Sequence, residues 1–316
     1  MQRTRLRNLQ LSATQGEAAS SPARGAGNRK FVLLDLADAP ACSRNPALRS
    51  GYRPSLPVTE CFASIFALHN ETVNIWSHLL GGLGFLALLA SETRGAPDAA
   101  AYLRSYRAFY CAVTGACFLG SSLFHVLACN PKWYAAAWIV DLAGMFALIG
   151  AGGGSNTYFV VGTGHGAWPV CLHTGLSVGC AALAFALMAR MVLRQQQSAP
   201  GGTADEGALR GVLPAVLVCV SYSYWLVAVA HVGVLEGSAT AWRCFWQLGP
   251  EWFAWGSGML FIWKMRVPEI FVPHRFDLFG ASHQIHHLVC IACAAWHLHN
   301  VEEIKAWRPA GTGALW

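Results

Sequence analysis

Seven stretches of this chain are apolar enough, over roughly the 20 residues a bilayer requires, to cross a membrane. They are Asn74–Ala90, Ala108–Ala128, Tyr134–Gly153, Trp168–Leu193, Ala208–Ala230, Phe245–Ile262 and Ser282–His299. Hydrocarbon admits only helices and closed barrels, because every backbone polar group must be paired inside the structure. Runs of this length read as helices, so the expected class is an all-α membrane protein with seven transmembrane helices. Composition points the same way: of 316 residues, 54% are apolar and 12% charged, against about 25% charged in an ordinary soluble domain. That excludes a wetted soluble enzyme. It also excludes a disordered chain, which lacks the apolar surface to offset its entropy.

The windows divide the chain into a tail at 1–50, a seven-helix domain at 51–300 and a short tail at 301–316. Residues 1–30 are polar, arginine-bearing and rich in Ser, Ala and Gly, the composition of a disordered segment. After Pro57, Cys61, Phe62, Ile65, Phe66 and Leu68 recur at helical spacing and predict a short amphipathic helix on the membrane surface before the first span. With the N-terminus in the cytoplasm, sixteen Lys and Arg fall on the cytoplasmic side and six on the far side. The positive-inside rule therefore orients the N-terminus inward and the 301–316 tail outward. Asn70-Glu71-Thr72 matches the glycosylation pattern but faces the cytosol on this orientation and should stay bare. The eleven cysteines lie mostly in apolar runs, unlike a disulfide framework, and Cys290-x-x-Cys293 reads as two buried small hydrophobes. Gly150–Asn156 closes the third window, where close helix packing or a flexible exit explains it.

Ionisable groups inside hydrocarbon are costly and mark function by default. His125 lies near the end of the second window, Asp141 early in the third, and His283 and His287 open the seventh. At 1.5 Å per residue, the orientation above places His125 about 5 Å, Asp141 about 10 Å and the other two within about 8 Å of the cytoplasmic boundary. His283 and His287 are four apart and share one helical face, the arrangement by which a helix offers two imidazoles to one metal. Three neutral imidazoles with an open position form the ligand set of a catalytic zinc. The same residues would equally serve to pair with the Asp and the backbone and hold helices together without metal. His286 points about 100° away from His287. His165, His173, His231, His297 and His299 lie near far-side boundaries and read as interfacial, while His69 and His78 flank the first window without a clear role.

The run Ala63–Gly81 (ASIFALHNETVNIWSHLLG) resembles the entry motif of the progestin and adipoQ receptor family. So do Ser121 with His125, Asp141, Val267-Pro268-Glu269 followed by Phe276-Asp277, and Ser282-His283-Gln284 with His287, all in order between Gly51 and His299. The resemblance implies seven helices with a cytoplasmic N-terminus and Zn2+ held by His125, His283 and His287. Asp141 and Ser121 match the positions beside the zinc. Family members are described as hormone or steroid receptors, and the fold resembles a wider group of membrane hydrolases, with ceramidase activity attributed to some members. The implied function is a membrane receptor whose intramembrane zinc site hydrolyses a lipid amide such as ceramide, Asp141 carrying the proton and Ser121 steadying the oxyanion. The alternative is a membrane scaffold that tethers a cytosolic signalling kinase, with structural zinc. Asn70–His78 looks closest to the Golgi-resident member that tethers Raf kinase, so the implied compartment is the Golgi or the plasma membrane. Implied partners are membrane lipids, a sphingolipid or steroid ligand, and a protein hormone or cytosolic kinase; nucleic acid is not among them. Two positions depart from the family pattern: Ile270 stands where an Arg is usual and His274 where a Gly is usual.

Overall fold

The computed structural model describes residues 31–94, 101–161, 167–198, 206–258, 262 and 265–307. The tail expected at 1–30 and the C-terminal residues 308–316 lie outside the described residues. Contacts divide the chain at Val32, and every helix belongs to the unit that starts there. After the short α1 (Val58–Ala63) come seven long helices among the described residues. They are α2 (Thr72–Thr93), α3 (Ala101–Leu127), α4 (Tyr134–Val161), α5 (Ala167–Ser198), α6 (Glu206–Glu236), α7 (Ser238–Ser257) and α8 (Ser282–Trp307). Among the described residues, four apolar spans, Thr72–Thr93, Ser105–Leu127, Tyr134–Val161 and Trp168–Arg194, are long enough to cross a membrane. Leu80 and Leu83 on α2 and Leu183 and Leu187 on α5 face outward, as lipid-facing residues do.

Three of the helix limits that differ from those the sequence predicts do so for a clear local reason. α4 does not stop at Gly153 but carries the Gly150–Asn156 run inside it to Val161. There Phe159, Val160 and Val161 pack against Trp225 and Leu248. α7 begins at Ser238 rather than Phe245 because Gly237 takes φ 91°, a conformation open to glycine, and reverses the chain at once. α8 runs beyond 300 to Trp307, since Val301 and Ile304 are fully buried in the same cluster.

Each helix from α2 to α8 packs against the next one in the chain. α8 touches α2, α4 and α7, which places it against both ends of the helix order. Small residues set the closest approaches. A Cβ on Gly82 would meet Leu119 at 2.8 Å, and one on Gly144 would meet the Cys117 backbone at 2.8 Å. That is how small residues let apolar helices close on one another without a hydrophobic drive between them.

Residues 32–56 form a packed cap at the end of the bundle where α3 stops and α8 starts. Leu34 and Tyr52 make an isolated antiparallel bridge, and Ala39, Leu48 and Tyr52 cluster with Ala281. The α7–α8 connection docks on the cap through Asp277, which accepts from the Arg49 backbone N–H at 2.9 Å and the Ser50 hydroxyl at 2.7 Å. His274 holds φ 64° there. The expected amphipathic helix is α1 followed by a 3-10 turn at Ser64–Phe66. Phe62 and Phe66 are exposed, while Cys61 is buried against Cys129 with the two sulfurs 3.6 Å apart. Asn70 is buried, and its carbonyl accepts from Gln284 Nε2 at 3.2 Å.

Candidate metal centre

The site lies just below this cap, and the cap fixes its two helix ends. A helix C-terminus leaves carbonyls without intrahelical partners and carries partial negative charge. The buried Arg53 guanidinium answers both at the end of α3, donating to the carbonyls of His125 at 2.6 Å and Val126 at 3.0 Å and to the Ser64 hydroxyl at 2.8 Å. At the start of α8, one Glu269 oxygen accepts from the Ser282 N–H at 2.7 Å and its hydroxyl at 2.9 Å. A carboxylate at a helix N-terminus is favoured by the same dipole. His125 and His283 are thus the first inward-facing imidazoles beyond two anchored helix ends.

His125, His283 and His287 are brought together, each offering one ligand atom, and these atoms all lie within 4.8 Å of one another. Nε2 of His283 is 3.3 Å from Nε2 of His125 and 3.2 Å from Nε2 of His287. The outer nitrogens fix the tautomers. His125 Nδ1 is 2.8 Å from Glu71 Oε2, and an ionised carboxylate only accepts, so Nδ1 carries the proton and Nε2 presents a lone pair. The Ser77 hydroxyl donates to the Asn74 carbonyl at 3.2 Å and so accepts from His287 Nδ1 at 3.4 Å, leaving a second Nε2 lone pair. One proton on His283 Nε2 can satisfy only one of the two. Hydrogen bonding alone therefore leaves at least one Nε2 lone pair unmatched in a buried site.

A cation resolves the conflict. Metal–nitrogen distances of 2.0–2.1 Å in a tetrahedral shell put ligand nitrogens about 3.3–3.4 Å apart, which the two short separations match. Outer-nitrogen partners such as Glu71 and Ser77 are the usual means of orienting metal-bound histidines. The residues present therefore fit a metal ion. Burial alone would raise the Glu71 carboxyl, but its hydrogen bonds from His125 and Asn74 outweigh that and hold it well below the usual carboxylate range.

The three histidines line a cavity of about 230 Å3 together with Asp141, Ser121, Asn74 and His78. Asp141, on α4, is buried, and so is Ser121 on α3. All five residues singled out from the sequence thus face one space. A family model described as Haemolysin-III related matches residues 66–298, a span that contains every one of them.

The chain belongs to the haemolysin-III related family.

It is accordingly an integral membrane protein. It is 28% identical to an adiponectin receptor protein of Drosophila melanogaster over 84% of this chain and 57% of that protein, so it spans little more than half the fly protein's length. It is 27% identical to progestin and adipoQ receptor family member 3 of Mus musculus, covering 84% of this chain and 83% of that one. Family member 4 of Homo sapiens is 27% identical over 82% of this chain and 88% of its own length.

Several residues that shape the haemolysin-III centre were not singled out from the sequence. Glu71 and Arg53 lie 54 and 72 residues from His125 along the chain, and no spacing rule links them to it. His297 is not interfacial, as its place near the helix end suggests, but 1% exposed. Its Nδ1 donates to Glu251 at 2.9 Å, and its Nε2 accepts from the Tyr106 hydroxyl at 3.0 Å. Asn300 Nδ2 donates to the other Glu251 oxygen at 2.7 Å. An acidic partner on the preceding helix, α7, satisfies the ring and allows that burial. His173 is likewise buried, 2.7 Å from His231.

Proposed function

We propose that this chain is a seven-span receptor-type membrane protein of the progestin and adipoQ group, N-terminus in the cytoplasm, in the Golgi or the plasma membrane. We propose further that its histidine site holds Zn2+ and hydrolyses a lipid amide such as ceramide. Sixteen cationic side chains against six support the orientation. The observation that carries the chemistry is the convergence of three imidazole nitrogens on one point beside a buried carboxyl. Bound there by His125, His283 and His287, Zn2+ would polarise an acyl carbonyl and make a neighbouring water acidic, with a pKa near about 7.

The protein's own groups complete the reaction. Asp141 takes the proton of the attacking water and passes it to the leaving nitrogen. Ser121, buried in the same cavity as Asp141, offers its hydroxyl proton to the developing oxyanion. The cavity's lining of Phe118, Phe124, Trp138, Met145 and Leu148 suits an acyl chain and excludes bulk water.

The decisive experiment assays the purified protein on ceramide beside Asp141→Asn. Loss of a positioned general base should lower the rate about 10²–10⁴-fold while bound metal and thermal stability hold. Metal-loaded wild type without amide hydrolysis, or Asp141→Asn at the wild-type rate, would refute the reading.

A further inference from the structure

α2 brings two polar side chains into the cavity whose hydrogen-bonding capacity the protein does not use. Asn74 and His78 are four residues apart and so share one face of the helix; both line the cavity, 4% and 6% exposed. Asn74 Nδ2 donates to Glu71 Oε2 at 2.6 Å. A carboxylate cannot donate, so the amide orientation is settled and the remaining atom is the oxygen. That Oδ1 is buried with no hydrogen bond. His78 is sandwiched between Phe118, at 4.6 Å, and His287, at 3.6 Å between ring centroids. Only the ring edge is left for polar contact. The His287 backbone lies near it, yet neither ring nitrogen makes a hydrogen bond.

Buried polar groups are normally paired, and each exception asks for an explanation. Three adjacent exceptions on one helix face, beside the histidine centre, define a requirement. Asn74 Oδ1 needs a donor, and neutral His78 offers one donor and one acceptor.

We infer that Asn74 and His78 form a recognition edge for an N-acylated lipid, taking the amide N–H beside the carbonyl presented to the histidine centre. This rests on the lipid-amide reading above and adds what selects the amide. An ester of the same shape has no N–H to give, and an ionised fatty acid has only acceptors. Either leaves Asn74 Oδ1 unpaired, and sites built around a substrate donor discriminate strongly against analogues lacking it. Both residues are positioning residues for the substrate.

The test compares two probes that differ in one atom, N-hexadecanoyl ethanolamine and its 2-hydroxyethyl ester. Their dissociation constants are measured calorimetrically on the full chain in lipid nanodiscs. An Asp141→Asn background prevents turnover, so binding is read whether or not the wild type hydrolyses either probe. The amide should bind about ten- to a hundredfold more tightly than the ester. In Asn74→Leu and in His78→Phe, which keeps an aromatic ring in the stack, the ratio should fall toward one, with the ester's own affinity little changed. Thermal melts confirm that each variant is folded. A parent ratio near one, or a ratio unmoved in either variant, overturns the inference. Absence of hydrolysis in the wild type would count against the hydrolase reading alone.

Discussion

α8 carries two buried polar clusters, ten residues and about 15 Å apart along its axis, and they are satisfied in different ways. Around His297, donors and acceptors match one to one: Glu251 takes His297 and Asn300 on separate oxygens, and Tyr106 closes the remaining imidazole nitrogen. Around His283 the count fails, because three nitrogens meet where one proton cannot serve them all. The first cluster is a finished helix-to-helix bond. The second is left with a surplus of acceptors, a set that could hold a metal ion. Burial of histidine is thus no sign of a metal site by itself; the surplus of lone pairs is.

Three substitutions sharpen that contrast. Glu251→Ala has the largest expected effect on stability, because it strands His297 and Asn300 in the core. Each buried polar group left without its partner costs about 1–3 kcal/mol, readable as a lower thermal midpoint, and metal content should not change. Glu71→Gln should do the reverse. It keeps the volume but weakens the acceptor that fixes the His125 tautomer, and such outer partners are worth about 10–100-fold in metal affinity. Competition with a chelator would show the loss while the melting curve hardly moves. Equal behaviour of the two variants in both assays would erase the distinction between the clusters.

The smallest effect concerns the cap. Burial first, and the Arg53 charge second, lower His69 to about 4 from its ordinary 6.5. The neutral ring donates to the Ser64 carbonyl at 3.1 Å and accepts from the Glu71 N–H at 3.1 Å. Between pH 6.5 and 4 the unfolded chain binds this proton and the folded one does not, so stability falls as pH drops through that window. Melting wild type and His69→Gln at pH 7.5 and pH 5 should show the wild type losing more on acidification. A parallel loss would remove His69 as the cause.

The histidine cluster was legible in the sequence because two of its members sit four apart and helix reversal returns the third to the same depth. Asp141 followed by the same depth argument. Their supports were not. Arg53 reaches α3 from an irregular segment with no period to reveal it, and Glu71 lies just outside the first apolar window. His297 was misjudged because position along a helix says nothing of a partner on another helix, here Glu251 on α7. The start of α7 was missed for a different reason: hydropathy averages over many residues, whereas Gly237 turns the chain in one.

The central claim is that the unbalanced cluster is balanced by metal. Elemental analysis of the purified protein, wild type beside the His283→Ala/His287→Ala double variant, tests it most directly. About one zinc per chain in the wild type, and none in a double variant whose circular dichroism remains helical, is the predicted result. A metal-free wild type that is fully folded, or a double variant that keeps the same zinc, would contradict it.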